Sequence, residues 1–194
     1  IRKNGILRQT WPLKMKDKLE IILIAAVSEN NVIGYRGDIP WDIKEDRDRF
    51  TSLTVGHPII MGRKTYESFR TRKEKDKNGE EISVKYLRNR TNIVLTASEE
   101  KLPQILRARH LYEAIELAQE HIPQLSKDKK IYIIGGQKVY EEAISEVANK
   151  LEITHVKGRH YKGDAYFPLI DVHQWKSVNR EERDGYSFET YVRR

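Results

Sequence analysis

Between Glu20 and Ser28 the chain carries one nearly unbroken apolar run, Ile21-Ile22-Leu23-Ile24-Ala25-Ala26-Val27. The run is too short for a buried helix and lacks the alternation of a strand with one wet face. It reads as a strand covered on both sides, and a strand of that kind needs helices above and below it. The rest of the sequence supplies them. The spacing predicts a helix from Pro40-Trp41 to about Thr54, a strand over His57–Met61, and a second helix from Gly62 to near Phe69. Further strands are expected over Asn92–Thr96, Lys130–Ile134 and Leu151–Val156, with helices over Leu111–Ile122 and Gln137–Ala148. Residues Trp175–Arg194 read as two strands joined at Asp184-Gly185, a strong hairpin signal. The fold class is therefore α/β: a mostly parallel central sheet flanked by helices, with an antiparallel C-terminal hairpin.

At 194 residues the chain suits one domain, expected over 19–194. Residues 1–18 lack periodicity and read as a basic N-terminal extension. The segment Arg70–Lys85 reads as a charged insert loop, with Asn78-Gly79 marking a hairpin or loop tip. The formal net charge of +7 is accounted for by these two stretches, leaving the rest of the chain neutral. A nucleic-acid enzyme concentrates positive charge on the folded surface that tracks phosphates, so no dedicated nucleic-acid function is expected. There is no cysteine, which excludes disulfides and thiolate metal sites. The six histidines show no ligand spacing, so no metal is expected. No apolar run is long enough for a membrane span and no secretory signal precedes the first strand. A cytoplasmic protein is the expectation.

In the first helix Ile43, Asp46, Arg47, Phe50, Leu53 and Thr54 recur at the spacing of one face. A carboxylate on a core-facing stripe must be paired, hydrogen-bonded or functional, because burying a bare charge is costly. Spacing alone leaves those readings of Asp46 open. Ligands of open parallel sheets bind beyond the carboxyl ends of the strands. Two glycine turns stand there, Gly62-Arg63-Lys64-Thr65 and Gly135-Gly136-Gln137-Lys138, each opening a helix with cations close by. Neither has the spacing of a dinucleotide fingerprint or a P-loop, but together they suit a ligand with two phosphate groups.

The residues Ile24-Ala25-Ala26, Val32-Ile33-Gly34, Pro40-Trp41, Asp46, Phe50, Ile60-Met61-Gly62-Arg63-Lys64-Thr65, Ile134-Gly135-Gly136 and Val139-Tyr140 form an ordered series. It continues through Thr154-His155, Gly163-Asp164 and Phe167-Pro168. This series resembles dihydrofolate reductase, colinear from about Ile21 to the C-terminus and broken mainly by the Arg70–Lys85 insert.

The resemblance implies a dihydrofolate-reductase-like fold and reduction of 7,8-dihydrofolate to tetrahydrofolate by NADPH, a step of one-carbon metabolism and an antifolate target. Family members are commonly monomers. Asp46 would hold the pteridine and favour protonation of N5 while hydride goes to C6. Trp41 and the loop Tyr35–Ile39 would form a lid. Tyr140 would place a hydroxyl beside the nicotinamide, and Thr154 would bridge to the aspartate. Ile24, Ala26, Phe50 and Leu87 would line the substrate pocket, and Arg90 would grip the substrate α-carboxylate.

The cofactor would run along Ala26, Ile33, Gly34, Gly37 and Asp38, then Gly62, Arg63, Lys64 and Thr65. Beyond these it would meet Leu95, Thr96, Ala97 and Ser98. It would also meet Ile134, Gly135, Gly136, Gln137, Lys138, Val139 and Tyr140. Arg63, supported by Lys138, would hold the 2′-phosphate, and Gly135-Gly136 would carry the family's cis peptide. Three departures stand out: Arg47 where an aliphatic residue is usual, Ala97 where a hydroxyl is frequent, and the 70–85 insert. Arg47 is expected to touch the substrate tail or to alter antifolate fit. The competing readings are a pyrimidine reductase of riboflavin synthesis, which shares fold and cofactor, and a catalytically dead binding protein.

Overall fold

The computed structural model describes residues 19–75, 78–100, 102–122 and 128–194, so the basic extension 1–18 lies outside the described residues. In chain order the elements are β1 (Leu19–Ser28), β2 (Val32–Gly34), α1 (Lys44–Thr54), β3 (Pro58–Gly62), α2 (Arg63–Ser68), β4 (Arg72–Lys75), β5 (Glu81–Val84) and β6 (Thr91–Leu95). They continue with β7 (Leu106–Ala108), α3 (Leu111–Glu120), β8 (Lys129–Ile133), α4 (Gln137–Glu146), β9 (Lys150–Val156), β10 (Ala165–Tyr166), β11 (Trp175–Arg183) and β12 (Tyr186–Arg193).

Eight strands form one sheet in the order β11-β12-β9-β1-β8-β3-β6-β7. From β9 to β7 every neighbouring pair is parallel; β12 joins β9 antiparallel and β11 closes the edge as its hairpin partner. The apolar run of β1 sits centrally, and the pleat divides its side chains. Ile21, Leu23 and Val27 face one way with Leu111, Ala114, Ile115, Val139 and Ala143 of α3 and α4. Ile22 and Ile24 face the other way with Met61, Val94 and Tyr66, and with the half-buried Phe50 and Leu53 of α1. Burial on both faces explains why the run shows no alternation.

The first helix begins at Lys44, not at Pro40 or Trp41, because Ile43 is extended (φ −118°, ψ 107°). Trp41 instead packs edge-on against Tyr161 with ring centroids 4.9 Å apart, a tertiary contact that draws the chain away from helical geometry. The delayed start leaves Glu45 and Asp46 in the first turn, where the helix dipole favours acidic groups. Three short strands, β2, β7 and β10, carry too few residues to show a period. The insert is a two-stranded hairpin of β4 and β5 with Gly79 at φ +83°. Its Glu74 accepts from Tyr86 at 2.7 Å and Arg88 at 2.9 Å, tying it to the chain before β6. The C-terminal turn holds Asp184 and Gly185 between the paired Arg183 and Tyr186, with Gly185 at φ +77°. No helix among the described residues is long and apolar enough to cross a membrane.

One glycine is demanded by packing alone. A Cβ on Gly163 would fall 2.5 Å from both methyl carbons of Val32, which is fully buried. Gly163→Ala should therefore destabilise the fold by about 1–3 kcal/mol, lowering the melting temperature by roughly 2–10 °C in calorimetry. Val32→Ala in the same chain should recover part of that loss. An unchanged melting temperature in the single variant would refute the clash.

Candidate active site

The strand ends that topology brings together are those of β1, β3, β6 and β8, all parallel, and α1 lies across the face of β1 and β9. Asp46, in the first turn of α1, is half-buried and accepts a hydrogen bond from the buried Thr154 hydroxyl at 2.5 Å. Burial pushes its carboxyl above the ordinary 3.8, opposed by the Thr154 donor and by the Arg49 guanidinium. Four residues on, Phe50 presents its ring on the same helical face, and Thr54 follows at the next equivalent position.

Thr54 accepts from Arg90 Nε at 2.9 Å, and the Arg90 guanidinium lies over the Phe50 ring, 5.8 Å from its centroid. Arg90 also donates to the Arg88 carbonyl at 2.7 Å and, at the limit of 3.5 Å, to that of Thr51. It makes no ion pair among the described residues. Three neutral acceptors leave its charge uncompensated and some of its five N–H donors free. Ile24 is buried beneath this row, while Leu87 and Ile134 are half-buried members of the same apolar cluster.

Arg47 stands about 100° around the helix from Asp46 and about 20° from Thr54. Its side chain is 58% exposed and pairs with Asp42. Exposed in this way, its guanidinium keeps its hydration.

Beyond β3 and β8 the backbones nearly touch. Gly62 N–H donates to the Gly135 carbonyl at 2.7 Å, and Ile134 N–H to that of Ile60 at 2.9 Å. A Cβ on Gly62 would meet Val139 Cγ2 at 3.1 Å, one on Gly135 the Tyr140 ring at 3.1 Å, and one on Gly136 the Thr65 hydroxyl at 3.2 Å. The Gly135–Gly136 peptide is cis. Tyr140 is buried and donates to the Ile24 carbonyl at 2.7 Å, with burial and the nearby Asp46 pushing its phenol up.

Around this cradle Lys64 and Lys138 are exposed and make no ion pair among the described residues. Arg63 is engaged already, donating to Glu67 at 2.6 Å and Glu100 at 2.8 Å. After β6, whose Leu95 pairs with Gly62, Thr96 Oγ1 accepts from Ser98 N–H at 3.1 Å. Exposed Ala97 offers no hydroxyl. Ser98 Oγ accepts from Glu100 N–H at 3.2 Å and keeps its own hydrogen to donate.

The predicted lid is a tight turn. Arg36 (φ +52°) and Gly37 (φ +82°) occupy its centre, and Tyr35 and Asp38 exchange backbone hydrogen bonds of 2.8 and 3.1 Å. Positive φ at both central positions marks a type I′ turn. Asp164 Oδ2 accepts from Arg36 N–H at 2.9 Å, and Gly34 O from Asp164 N–H at 3.0 Å, so the turn is held from the β10 side. Ile33 and Gly34 are half-buried beside it. The Trp41 indole N–H is buried and has no hydrogen-bond partner among the described residues.

Sequence reading missed three residues. Asp164 stood inside a quoted motif but carried no spacing signal of its own. Arg107, on the unrecognised β7, donates to Ser98 O at 2.8 Å and with Thr96 and Arg109 lines a cavity of about 150 Å³. Arg49 is the third.

The family model described as dihydrofolate reductase matches residues 20–193. The dihydrofolate reductase of Buchnera aphidicola from Acyrthosiphon pisum is 38% identical over 183 residues, covering 90% of this chain and all of the relative. The dihydrofolate reductase HdrB of Haloferax volcanii is 35% identical over 176 residues, 91% of this chain and 84% of that one. The dihydrofolate reductase of Neisseria meningitidis serogroup A is 34% identical over 181 residues, 90% and 99% respectively.

Proposed function

We propose a function from one premise: the chain belongs to the dihydrofolate reductase family. The protein reduces 7,8-dihydrofolate to 5,6,7,8-tetrahydrofolate with NADPH. The observation that carries this reading is the row along α1: a half-buried carboxyl at Asp46, an aromatic ring at Phe50, and an uncompensated guanidinium at Thr54. Eight residues of helix separate Asp46 from Thr54, about 12 Å at the α-helical rise. That sequence of groups suits a ligand with a hydrogen-bonding heterocycle at one end, an aryl ring in the middle and a carboxylate at the other.

Asp46 receives the 2-amino group and N3 of the pteridine. Its pKa, raised by burial, lies closer to neutrality than an exposed carboxyl and helps a proton reach N5. Thr154 holds the carboxylate in place by donating to Oδ1. Bound NADPH supplies the hydride that goes to C6. The turn Tyr35–Ile39 and Trp41 cover the reacting atoms and exclude water. The unpartnered Trp41 indole N–H is a donor free for a ligand or a water beside it.

The chain's residues fit a nicotinamide dinucleotide. The Gly62, Gly135 and Gly136 cradle, where any Cβ would come within 3.2 Å of a neighbour, keeps side chains off the backbone at the start of α4. Arg63, Lys64, Lys138 and Arg107 supply positive charge for its phosphates. Arg63 must exchange Glu67 and Glu100 for the 2′-phosphate, and each exposed pair is worth under about 1 kcal/mol. A charge-assisted contact gives about 1.5–3 kcal/mol, so Arg63→Gln should reduce the preference for NADPH over NADH by about tenfold. Steady-state constants with both cofactors check this, and an unchanged ratio refutes the role.

The direct test of function is cofactor oxidation on adding dihydrofolate. Turnover is the expected result. Cofactor binding without turnover would overturn the substrate assignment.

A further inference from the structure

Beneath Asp46 lies a charged cluster that the proposed chemistry does not use. Arg49, one turn along α1, pairs with Glu152 of β9. The two side chains are only 19% and 7% exposed, so this is not an ordinary surface pair. Glu152 Oε2 also accepts from the Thr190 hydroxyl at 2.9 Å, and Lys150 Nζ lies 3.2 Å from Oε1. The guanidinium is seated on the Phe188 ring, 4.8 Å from its centroid.

Register explains the arrangement. Glu152 and Thr154 are two apart on β9 and share a face, as do Asp46 and Arg49 three apart on α1. On β12, Phe188 pairs with Thr154 and Thr190 with Glu152. Helix and strand therefore meet through two parallel rungs, Asp46–Thr154 and Arg49–Glu152.

We infer that Arg49, oriented by Glu152 and Phe188, is a positioning residue for Asp46, docking the first turns of α1 on β9 and setting the field in which the carboxyl ionises. This rests on the reading of Asp46 as the acid of the site. A buried pair adds little net stability compared with apolar residues of the same volume, whereas a charge fixed one helical turn from a carboxyl acts on its proton directly.

The other groups facing Asp46 are few. Thr154 donates to it from β9, and the phenols of Tyr140 on α4 and Tyr186 on β12 are pushed up by burial and, to a smaller extent, by its charge. Glu45 is exposed, and Arg47 is turned to Asp42. Arg49 is thus the one cation bearing on the carboxyl among the described residues, and it is itself paired with Glu152, which also has Lys150 beside it.

Two opposite shifts follow. Arg49→Met removes the cation, and the Asp46 titration midpoint should rise by about half to one pH unit. Glu152→Gln removes the negative charge paired with Arg49, and the midpoint should fall. Arg49→Lys keeps the charge and should restore most of the wild-type value. The readouts are the pH profile of hydride transfer and a carbon-13 NMR titration of the Asp46 carboxyl. A purely structural role would weaken both variants in one direction, through melting temperature, and leave the midpoint alone.

Midpoints that stay within about 0.2 units, or that move the same way in both variants, overturn the proposal. Should Arg49→Met fail to fold, Glu152→Gln decides: a downward shift supports it, no shift or an upward one refutes it. The carboxyl titration needs no turnover. Expected shifts combined with an Asp46→Asn enzyme of full activity would refute the role of Asp46 in the reaction, not that of Arg49.

Discussion

Asp46→Asn should lower kcat for dihydrofolate reduction near neutral pH by about a hundredfold to a thousandfold. Asparagine keeps the volume and can still bond Thr154, so the loss isolates the ionisable group. Part of the rate should return in acid, where substrate arrives already protonated at N5. A flat pH response at wild-type rate would remove Asp46 from the mechanism.

The same substitution tests the burial of the group. Asp46 has a folded-state pKa raised by desolvation. Such an acid binds its proton more tightly folded than unfolded, so its contribution to stability is full below the unfolded pKa. It declines as pH rises through the window up to the folded pKa. The Asp46→Asn variant escapes that decline. Without ligand it should melt above the wild type near neutrality, and the two should converge in strong acid. Activity and stability would then move in opposite directions, as expected where a site holds a group that folding alone disfavours.

The second large effect is expected at Arg90. Its partners are the hydroxyl of Thr54 and the carbonyls of Arg88 and Thr51, all uncharged. Burial lowers its pKa, and no acid among the described residues offsets that effect. A ligand carboxylate would supply the missing anion through charge-assisted bonds worth about 1.5–3 kcal/mol. Arg90→Leu should weaken dihydrofolate binding by about a hundredfold while barely changing the affinity of a pteridine lacking the glutamate tail. Calorimetric titration with the two ligands separates the outcomes. Equal losses for both would mean that Arg90 only shapes the pocket.

Much of the fold was legible in the sequence because burial imposes a local period. The runs at Ile21–Val27, Ile59–Met61 and Ile131–Ile133 are apolar throughout, since each strand is covered on both faces. The stripe Leu111, Ala114, Ile115 and Ala118 is buried, as its spacing implies. Asp184-Gly185 turned as expected because only a few residue types suit a two-residue hairpin. Strands of two or three residues, β2, β7 and β10, were invisible because a period needs length. The start of α1 was misplaced because the Trp41–Tyr161 contact outweighs local propensity.

The candidate site divides in the same way. Asp46, Thr154, Arg90 and the glycine pairs could be picked out as residues, through ordered motifs and a resemblance to one family. What each of them touches was decided only by the tertiary structure. Asp46 meets Thr154 across 108 positions, and Arg49 reaches Glu152 across 103. Such contacts depend on the register of β9 against β1 and β12 and on how α1 lies over them. Arg47 shows the limit most directly. It stands next to Asp46 in sequence, yet the fold half-buries Asp46 against Thr154 and leaves Arg47 exposed beside Asp42.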